Sequence, residues 1–305
     1  MNILLTGCFD YSEKQIEQLS SLGYCIHFLQ YEKEELPLHP SQIDAIVCNG
    51  LFLHHSIAQF SRLKFIQLTS AGFDRVPIDI INNRGIQICN ARGVYSTPMA
   101  EWALFRVLEH YKDGQGFNIH QANKQWIKNR NLREIAGTKV AVIGAGNVGQ
   151  EVGKRFQAMG AQTIGFDIHT SETIGFTNME LTETFPEKVQ NFDVIILTAP
   201  LLPSTKNLIN ERVLTQLKEN AMIVNIARGG LIDQSALIKV LSTRKDVFAA
   251  LDVFEEEPLS PDSPLWDMRN VAISPHNSFV GTGNNRRMFE VIYNNLKAFI
   301  DNNHA

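Results

Sequence analysis

The sequence is poor in cysteine, and the four it has, Cys8, Cys25, Cys48 and Cys89, stand far apart with no CxxC or metal-ligand spacing. That excludes a disulfide scaffold and a thiolate metal centre, and makes ordinary core thiols in a reducing compartment the expectation. An excess of positive charge is also missing: 28 Lys and Arg stand against 32 Asp and Glu, a formal net charge of -4. Without a basic field the chain has nothing to hold a nucleic-acid backbone or an anionic membrane, so small molecules are the expected partners. No apolar run approaches the roughly 18 residues of a membrane span. The start, Met1-Asn2-Ile3-Leu4-Leu5-Thr6-Gly7, has no basic n-region and too short an apolar run for a signal peptide, which makes the cytoplasm the expected location. Low-complexity segments and repeats of solenoid length are absent as well.

What is present fits a folded globular chain: 305 residues, 44% hydrophobic and 20% charged, enough for two separate cores with a cleft between them. Short apolar runs recur through the first hundred residues, at Ile3-Leu4-Leu5, Cys25-Ile26-His27-Phe28-Leu29, Ala45-Ile46-Val47-Cys48, Phe65-Ile66-Gln67-Leu68 and Ile86-Gln87-Ile88-Cys89, with a polar helix expected over 12–22. Short strands alternating with helices predict βα repeats on a parallel sheet. Ser96-Thr97-Pro98 offers a capping hydroxyl followed by proline at the first helical position. The helix expected next, from Met99 to Tyr111, is apolar on nearly every side through Trp102, Leu104, Phe105, Val107 and Leu108. Such a helix needs cover, from another domain or from a second subunit. After a polar connection over 124–130 a second βα series opens at Lys139-Val140-Ala141-Val142-Ile143, with further strands expected over 163–166, 194–197, 222–225, 248–251 and 271–273.

Gly144-Ala145-Gly146-Asn147-Val148-Gly149 fits GxGxxG directly after the first of these strands and before a helix expected over 150–159. The first glycine permits a tight turn, the second lets the backbone approach a pyrophosphate, the third lets helix pack on strand, and the open amides of the helix start face the phosphates. Asp167 ends the next strand, 18 residues after Gly149, where a carboxylate accepts hydrogen bonds from the adenosine ribose. It repels a 2′-phosphate, and Ile168-His169-Thr170 supplies no arginine to offset that, so NAD is expected over NADP. Thr6-Gly7 imitates the start of such a loop, but Cys8-Phe9-Asp10-Tyr11 lacks the later glycines.

Three ionisable residues follow the later strands of the second series: Arg228, Glu257 and His276. Segments leaving the carboxyl ends of strands converge on the ligand crevice of an open α/β sheet. Arginine grips a carboxylate bidentately. Histidine gives and takes a proton near neutral pH, and a neighbouring glutamate favours its charged form. Together they are the groups that reduction of a 2-keto acid requires.

In family order, Ser70-Ala71-Gly72-Phe73-Asp74, Met99-Ala100-Glu101, the glycine loop with Asp167, 199–205 from Ala199-Pro200, 225–230 around Arg228, 251–254 with Glu257-Pro258-Leu259, and Ser274-Pro275-His276 resemble the D-isomer-specific 2-hydroxyacid dehydrogenases. That family includes D-3-phosphoglycerate, D-lactate, glyoxylate/hydroxypyruvate and formate dehydrogenases. The resemblance implies two doubly wound parallel-sheet domains: a flavodoxin-like substrate domain, residues 1–97 with 283–305, and a Rossmann NAD-binding domain, residues 98–282. It implies Arg228 as substrate anchor, His276 as acid/base, Glu257 as its carboxylate partner, and the Ala71 and Gly72 amides as a grip on the substrate carboxylate. For NAD it implies contacts from Gly144, Gly146, Asn147, Val148, Gly149, Asp167, Ala199, Pro200, Ile226, Ala227, Arg228 and His276, with Asp252 orienting the nicotinamide carboxamide. No metal is implied, and the helix 99–111 matches the family's homodimer contact. Glu257 stands where formate dehydrogenases carry glutamine, which argues against formate oxidation. Ala199 replaces a residue that commonly hydrogen-bonds the cofactor. An amphipathic helix is expected over 288–300 and the chain ends at Ala305 soon after it, so control through an added C-terminal regulatory domain is not expected. A nonenzymatic NADH-binding regulator, of the corepressor kind found in the same family, is the alternative reading.

Overall fold

The computed structural model describes residues 1–304; Ala305, the last residue assigned above to the substrate domain, lies outside them. The chain divides into two compact units, one of Met1–Tyr95 with the C-terminal segment from Gly281, the other of Ser96–Val280. The first opens with β1 (Asn2–Thr6), α1 (Glu13–Ser21), β2 (Cys25–Leu29), β3 (Ala45–Cys48), β4 (Phe65–Leu68), α2 (Ile78–Asn83) and β5 (Gln87–Cys89). The second follows with α3 (Ser96–Tyr111), α4 (Gly114–Ala122), β6 (Lys139–Ile143), α5 (Asn147–Ala158), β7 (Gln162–Asp167), β8 (Asn178–Leu181), β9 (Val194–Leu197), α6 (Glu211–Thr215), β10 (Met222–Asn225), α7 (Gln234–Thr243), β11 (Phe248–Leu251) and β12 (Val271–Ile273). The chain then returns to the first unit through α8 (Asn284–His304).

Among the described residues the strands form two sheets, ordered β2-β1-β3-β4-β5 and β12-β11-β10-β9-β6-β7-β8, and every pairing is parallel. Both are doubly wound, as the sequence predicts: the first has the flavodoxin-like order and the second the Rossmann order with one added strand. The inner strands β3, β9, β10 and β11 read as near-continuous apolar runs because both faces are covered. In the first unit Ile3, Leu5, Ala45, Val47 and Phe65 pack under α1 and α8, while Leu4, Ile46, Cys48, Ile66 and Leu68 pack on the opposite side with Phe60 and Ile81. In the second, Ala141, Ile143, Ile195, Leu197 and Ile223 pack toward α6 and α7, and Val140, Val142, Val194, Ile196 and Val224 toward α3 and α5. Successive residues of one strand thus feed two different cores, the period of two that a pleated strand imposes.

Several local expectations are corrected. Ser96 and Thr97 lie inside α3 rather than capping it, and Pro98 sits in the first turn, where its missing N–H costs no intrahelical bond. The helix after the glycine loop begins at Asn147, three residues before the predicted Gln150. Among the elements without an individual forecast are α4, which buries no side chain, and β8, the edge strand next to β7, which is polar and only partly covered. The cysteines are not all core thiols either, since Cys48 is buried, Cys8 and Cys89 are half-buried and Cys25 is exposed. No helix among the described residues is long and apolar enough to cross a membrane.

Candidate active site

In the second unit the glycine turn is built from three different demands. Gly144 has φ of +101°, and a Cβ there would come 2.6 Å from the Ala199 amide nitrogen. Gly149 lies so close to the strand end that a Cβ would meet the Gly144 carbonyl at 1.9 Å. Gly146, by contrast, has nothing within 4 Å of that position, and it caps α5 without any side-chain hydrogen bond. The first amides of α5 are therefore uncapped beside open space, a geometry suited to a pyrophosphate. Thr198, which the sequence reading passed over, donates its hydroxyl proton to the Gly144 carbonyl at 2.7 Å and so ties the turn to the end of β9. Its one sequence signal was a hydroxyl closing an otherwise apolar strand.

Asp167 ends β7 as expected, and its carboxylate is already engaged: Oδ2 accepts from the Ala145 amide at 2.6 Å and Oδ1 from the Ile168 amide at 2.7 Å. It braces the glycine turn, with a second lone pair on each oxygen left over. Ala199 is buried and Pro200 exposed at the start of a turn that Thr205 closes by donating to the Pro200 carbonyl at 2.7 Å.

Arg228 follows β10 on a turn stapled by the buried Asn225, whose Nδ2 donates to the Arg228 carbonyl at 2.9 Å and whose Oδ1 accepts from the Ala227 amide at 3.1 Å. The staple also fixes Ile226 and Ala227, both buried. The Arg228 guanidinium bonds the Ala227 carbonyl through Nη1 at 2.8 Å. Its neighbour Gly229 packs backbone to backbone on Phe254 and Glu255, where a Cβ would overlap at 1.9 Å. The arginine turn therefore abuts the segment that carries Glu257. That carboxylate accepts from the Phe254 amide through Oε1 at 3.0 Å and holds His276 Nδ1 on Oε2 at 2.7 Å. With Nδ1–H donated to glutamate, Nε2 is the nitrogen left to exchange a proton with a ligand.

Asp252 is fully buried and wrapped by the segment that carries His276. Oδ1 accepts from the Ser274 hydroxyl and from the Asn277 amide at 2.8 Å, and Oδ2 accepts from the Ser278 amide at 2.8 Å. The His276 amide donates to the Asp252 carbonyl at 2.7 Å. Within this wrap His276 adopts φ of +50°, and its ring meets Phe279 edge-on at 6.0 Å. The expected carboxamide role for Asp252 thus stands beside a structural one that the sequence did not show.

In the first unit, Ala71 and Gly72 follow β4. Their carbonyls are held inward, Ala71 by the Asn90 side chain at 2.6 Å and Gly72 by the Ser70 hydroxyl at 2.9 Å, while their amides have no acceptor among the described residues. Two adjacent open amides suit a carboxylate.

A family model described as "D-isomer specific 2-hydroxyacid dehydrogenase, NAD binding domain" matches residues 104–278. The chain is similar to a hydroxypyruvate reductase of Blautia hydrogenotrophica, 26% identical over 310 residues that cover 98% of this chain and 96% of that one. It is similar also to a D-3-phosphoglycerate dehydrogenase of Methanocaldococcus jannaschii, 35% identical over 268 residues, with 87% of this chain and 51% of the relative covered, about half the relative's length. Among solved structures, a D-isomer specific 2-hydroxyacid dehydrogenase family protein from Aeromonas salmonicida superposes with a TM-score of 0.81 at 24% identity, covering 99% of this chain and 96% of that one, a likeness of fold. The glycine turn, the Arg228 turn and the Glu257–His276 pair all lie within the matched segment, and the chain belongs to the D-isomer specific 2-hydroxyacid dehydrogenase family.

Proposed function

We propose that the protein is an NAD-dependent oxidoreductase that transfers a hydride between nicotinamide and C2 of a D-2-hydroxy acid or its 2-keto acid. The observation that carries this reading is the 2.7 Å contact of His276 Nδ1 with Glu257, which leaves Nε2 to act on substrate, beside the turn that presents Arg228. Bound nicotinamide supplies the hydride equivalent. Arg228 anchors the substrate carboxylate, to which the open Ala71 and Gly72 amides also bond. His276 Nε2 gives its proton to the keto oxygen in reduction and removes it from the hydroxyl in oxidation, and Glu257 stabilises the charged imidazole and fixes its orientation. In the second unit the amides at Asn147, Val148 and Gly149 hold the pyrophosphate, Asp167 takes the adenosine ribose, and Ala199, Pro200, Ile226 and Ala227 line the rest of the cofactor path. Asp167 next to Ile168-His169-Thr170, with no cation, supports NAD over NADP. The exposed Phe105 on α3 supports a homodimer formed through that helix.

The test is NADH oxidation, followed at the nicotinamide absorbance, with glyoxylate, hydroxypyruvate, pyruvate, 2-ketoisocaproate and phosphohydroxypyruvate in parallel, and with NADPH as second donor. Turnover of at least one acid, faster with NADH, is expected, and His276→Ala should lower kcat by about 10²–10⁴-fold with NADH binding retained. Silence with every acid despite NADH binding would overturn the reading in favour of a regulator.

A further inference from the structure

The first unit has its own ligand edge. Its sheet order reverses at β1, with β2 on one side and β3-β4-β5 on the other. Loops leaving the carboxyl ends of strands at such a switch point form the crevice of a doubly wound sheet. Here the loops after β1, β2 and β3 are joined by one side chain. Glu32 Oε1 accepts from the Asn49 amide at 2.7 Å and from the Thr6 hydroxyl at 2.8 Å, and Oε2 accepts from the Gly50 amide at 2.6 Å. Its own carbonyl bonds His55 Nε2 at 2.9 Å.

Two successive backbone amides converging on one point make an anion-binding nest, and here a hydroxyl completes it. The chain has filled that nest with its own carboxylate. The nest adjoins the segment bearing the open Ala71 and Gly72 amides. The Thr69 amide pairs with the Cys48 carbonyl at 3.0 Å, and a Cβ placed on Gly50 would lie 3.5 Å from Glu32 Oε2 and 3.9 Å from Arg75 Cδ. Arg75 is the nearby cation, but it is exposed, and a solvated lone cation attracts an anion weakly. The strongest anion donors at this edge are thus spent on an internal negative charge, in a loop next to the segment that bears the Ala71 and Gly72 amides.

We propose that Glu32 is a specificity-determining residue: seated in the Asn49-Gly50 nest, it makes this edge select 2-keto acids with an uncharged side chain and reject those bearing a second carboxylate or a phosphate. The inference rests on the oxidoreductase reading above. A glutamine at the same place removes the charge but keeps one accepting oxygen only and turns its NH2 toward one of the nest's donors, so part of the loop support goes with the charge and the test must read a ratio internal to each protein.

The experiment compares kcat/KM, at saturating NADH, within two pairs of near-matched acids: hydroxypyruvate against phosphohydroxypyruvate, and 2-oxobutyrate against oxaloacetate. The wild-type protein should prefer the singly charged member of each pair. Glu32→Gln should raise the relative kcat/KM of the more highly charged member by on the order of tenfold, the scale of one elementary charge acting across a partly solvated gap. Raising salt from about 0.02 to about 0.5 M should narrow the wild-type preference through screening and leave that of the variant nearly flat. The ratio is internal to each protein, so a general loss of activity cancels, and the salt series on the wild type carries the test even if the variant folds poorly. Equal or better use of the more highly charged acids by the wild type overturns the proposal. So does a variant that lowers both members equally with the ratio unmoved, which would make Glu32 a structural brace alone. Silence with these four and with the other acids of the panel above instead removes the oxidoreductase reading beneath it.

Discussion

A histidine held at φ of +50° spends about 1–3 kcal/mol on its backbone, and something must hold it there. Asp252 does so, because three donors from Ser274, Asn277 and Ser278 converge on its buried carboxylate. Replacing it by asparagine keeps the volume but turns an NH2 group toward a backbone amide, leaving at least one buried donor unpaired at about 1–3 kcal/mol. Asp252→Asn should therefore lower both the melting temperature and kcat, the latter by at least about tenfold because His276 loses its fixed orientation. Thermal melts and turnover measured on one preparation check the pair. An unchanged kcat would mean that the wrap does not set the ring position. Glu257 works at the same scale but through its side chain only, so Glu257→Gln should lower kcat with NADH affinity unchanged, as isothermal titration would show.

At the scale of the element, the glycine turn separates folding from binding. A methyl at Gly149 overlaps the Gly144 carbonyl at 1.9 Å, so strand end and helix must part, at about 3 kcal/mol or more. A methyl at Gly146 meets no protein atom within 4 Å but stands where the backbone must approach a pyrophosphate. Gly149→Ala is expected to lose thermal stability, whereas Gly146→Ala should melt like the wild type and bind NADH at least about tenfold more weakly. Equal melting temperatures for the two variants would contradict this division. Much of this scale was readable beforehand, since β6, β9, β10, β11 and β12 coincide with apolar runs. The exceptions have physical causes. Gly114 and Gly116 weaken the helical signal of α4, which buries nothing, and β8 is a polar edge strand paired on one side only.

At the scale of the molecule, two surfaces report on association and pH. The helix α3 buries Ala100, Ala103, Val107 and Tyr111 but leaves Phe105 51% exposed, with Trp102, Leu104 and Leu108 partly buried. If this face meets a second copy, Phe105→Glu should shift the sedimentation mass from dimer to monomer at micromolar protein; a wild-type monomer would end that reading. His110 stacks on Phe248 with ring centroids 4.0 Å apart, and burial, aided by the Arg133 cation and opposed by Asp113, lowers its pKa from 6.5 to about 4. Because the folded state binds this proton less readily than the unfolded chain, the contribution is present above about pH 6.5 and is lost as pH falls toward 4. His110→Phe should keep the stack and flatten the fall in melting temperature across that window, and an unaltered acid limb would assign it to other groups.

The sequence by itself determined the parallel α/β class, the place of the glycine turn and the residue types of the candidate site, because strand runs, glycine spacing and turn chemistry are local properties. It did not show that Thr198 braces Gly144, that Asp252 holds the turn of His276 or that Glu32 fills a nest made by residues 6, 49 and 50. Those partners lie 17 to 54 residues apart along the chain. In a parallel sheet every neighbouring strand is reached through a crossover, so which loop ends meet at one edge is set by strand order. That order, and the hydrogen bonds it brings within reach, belongs to the tertiary structure.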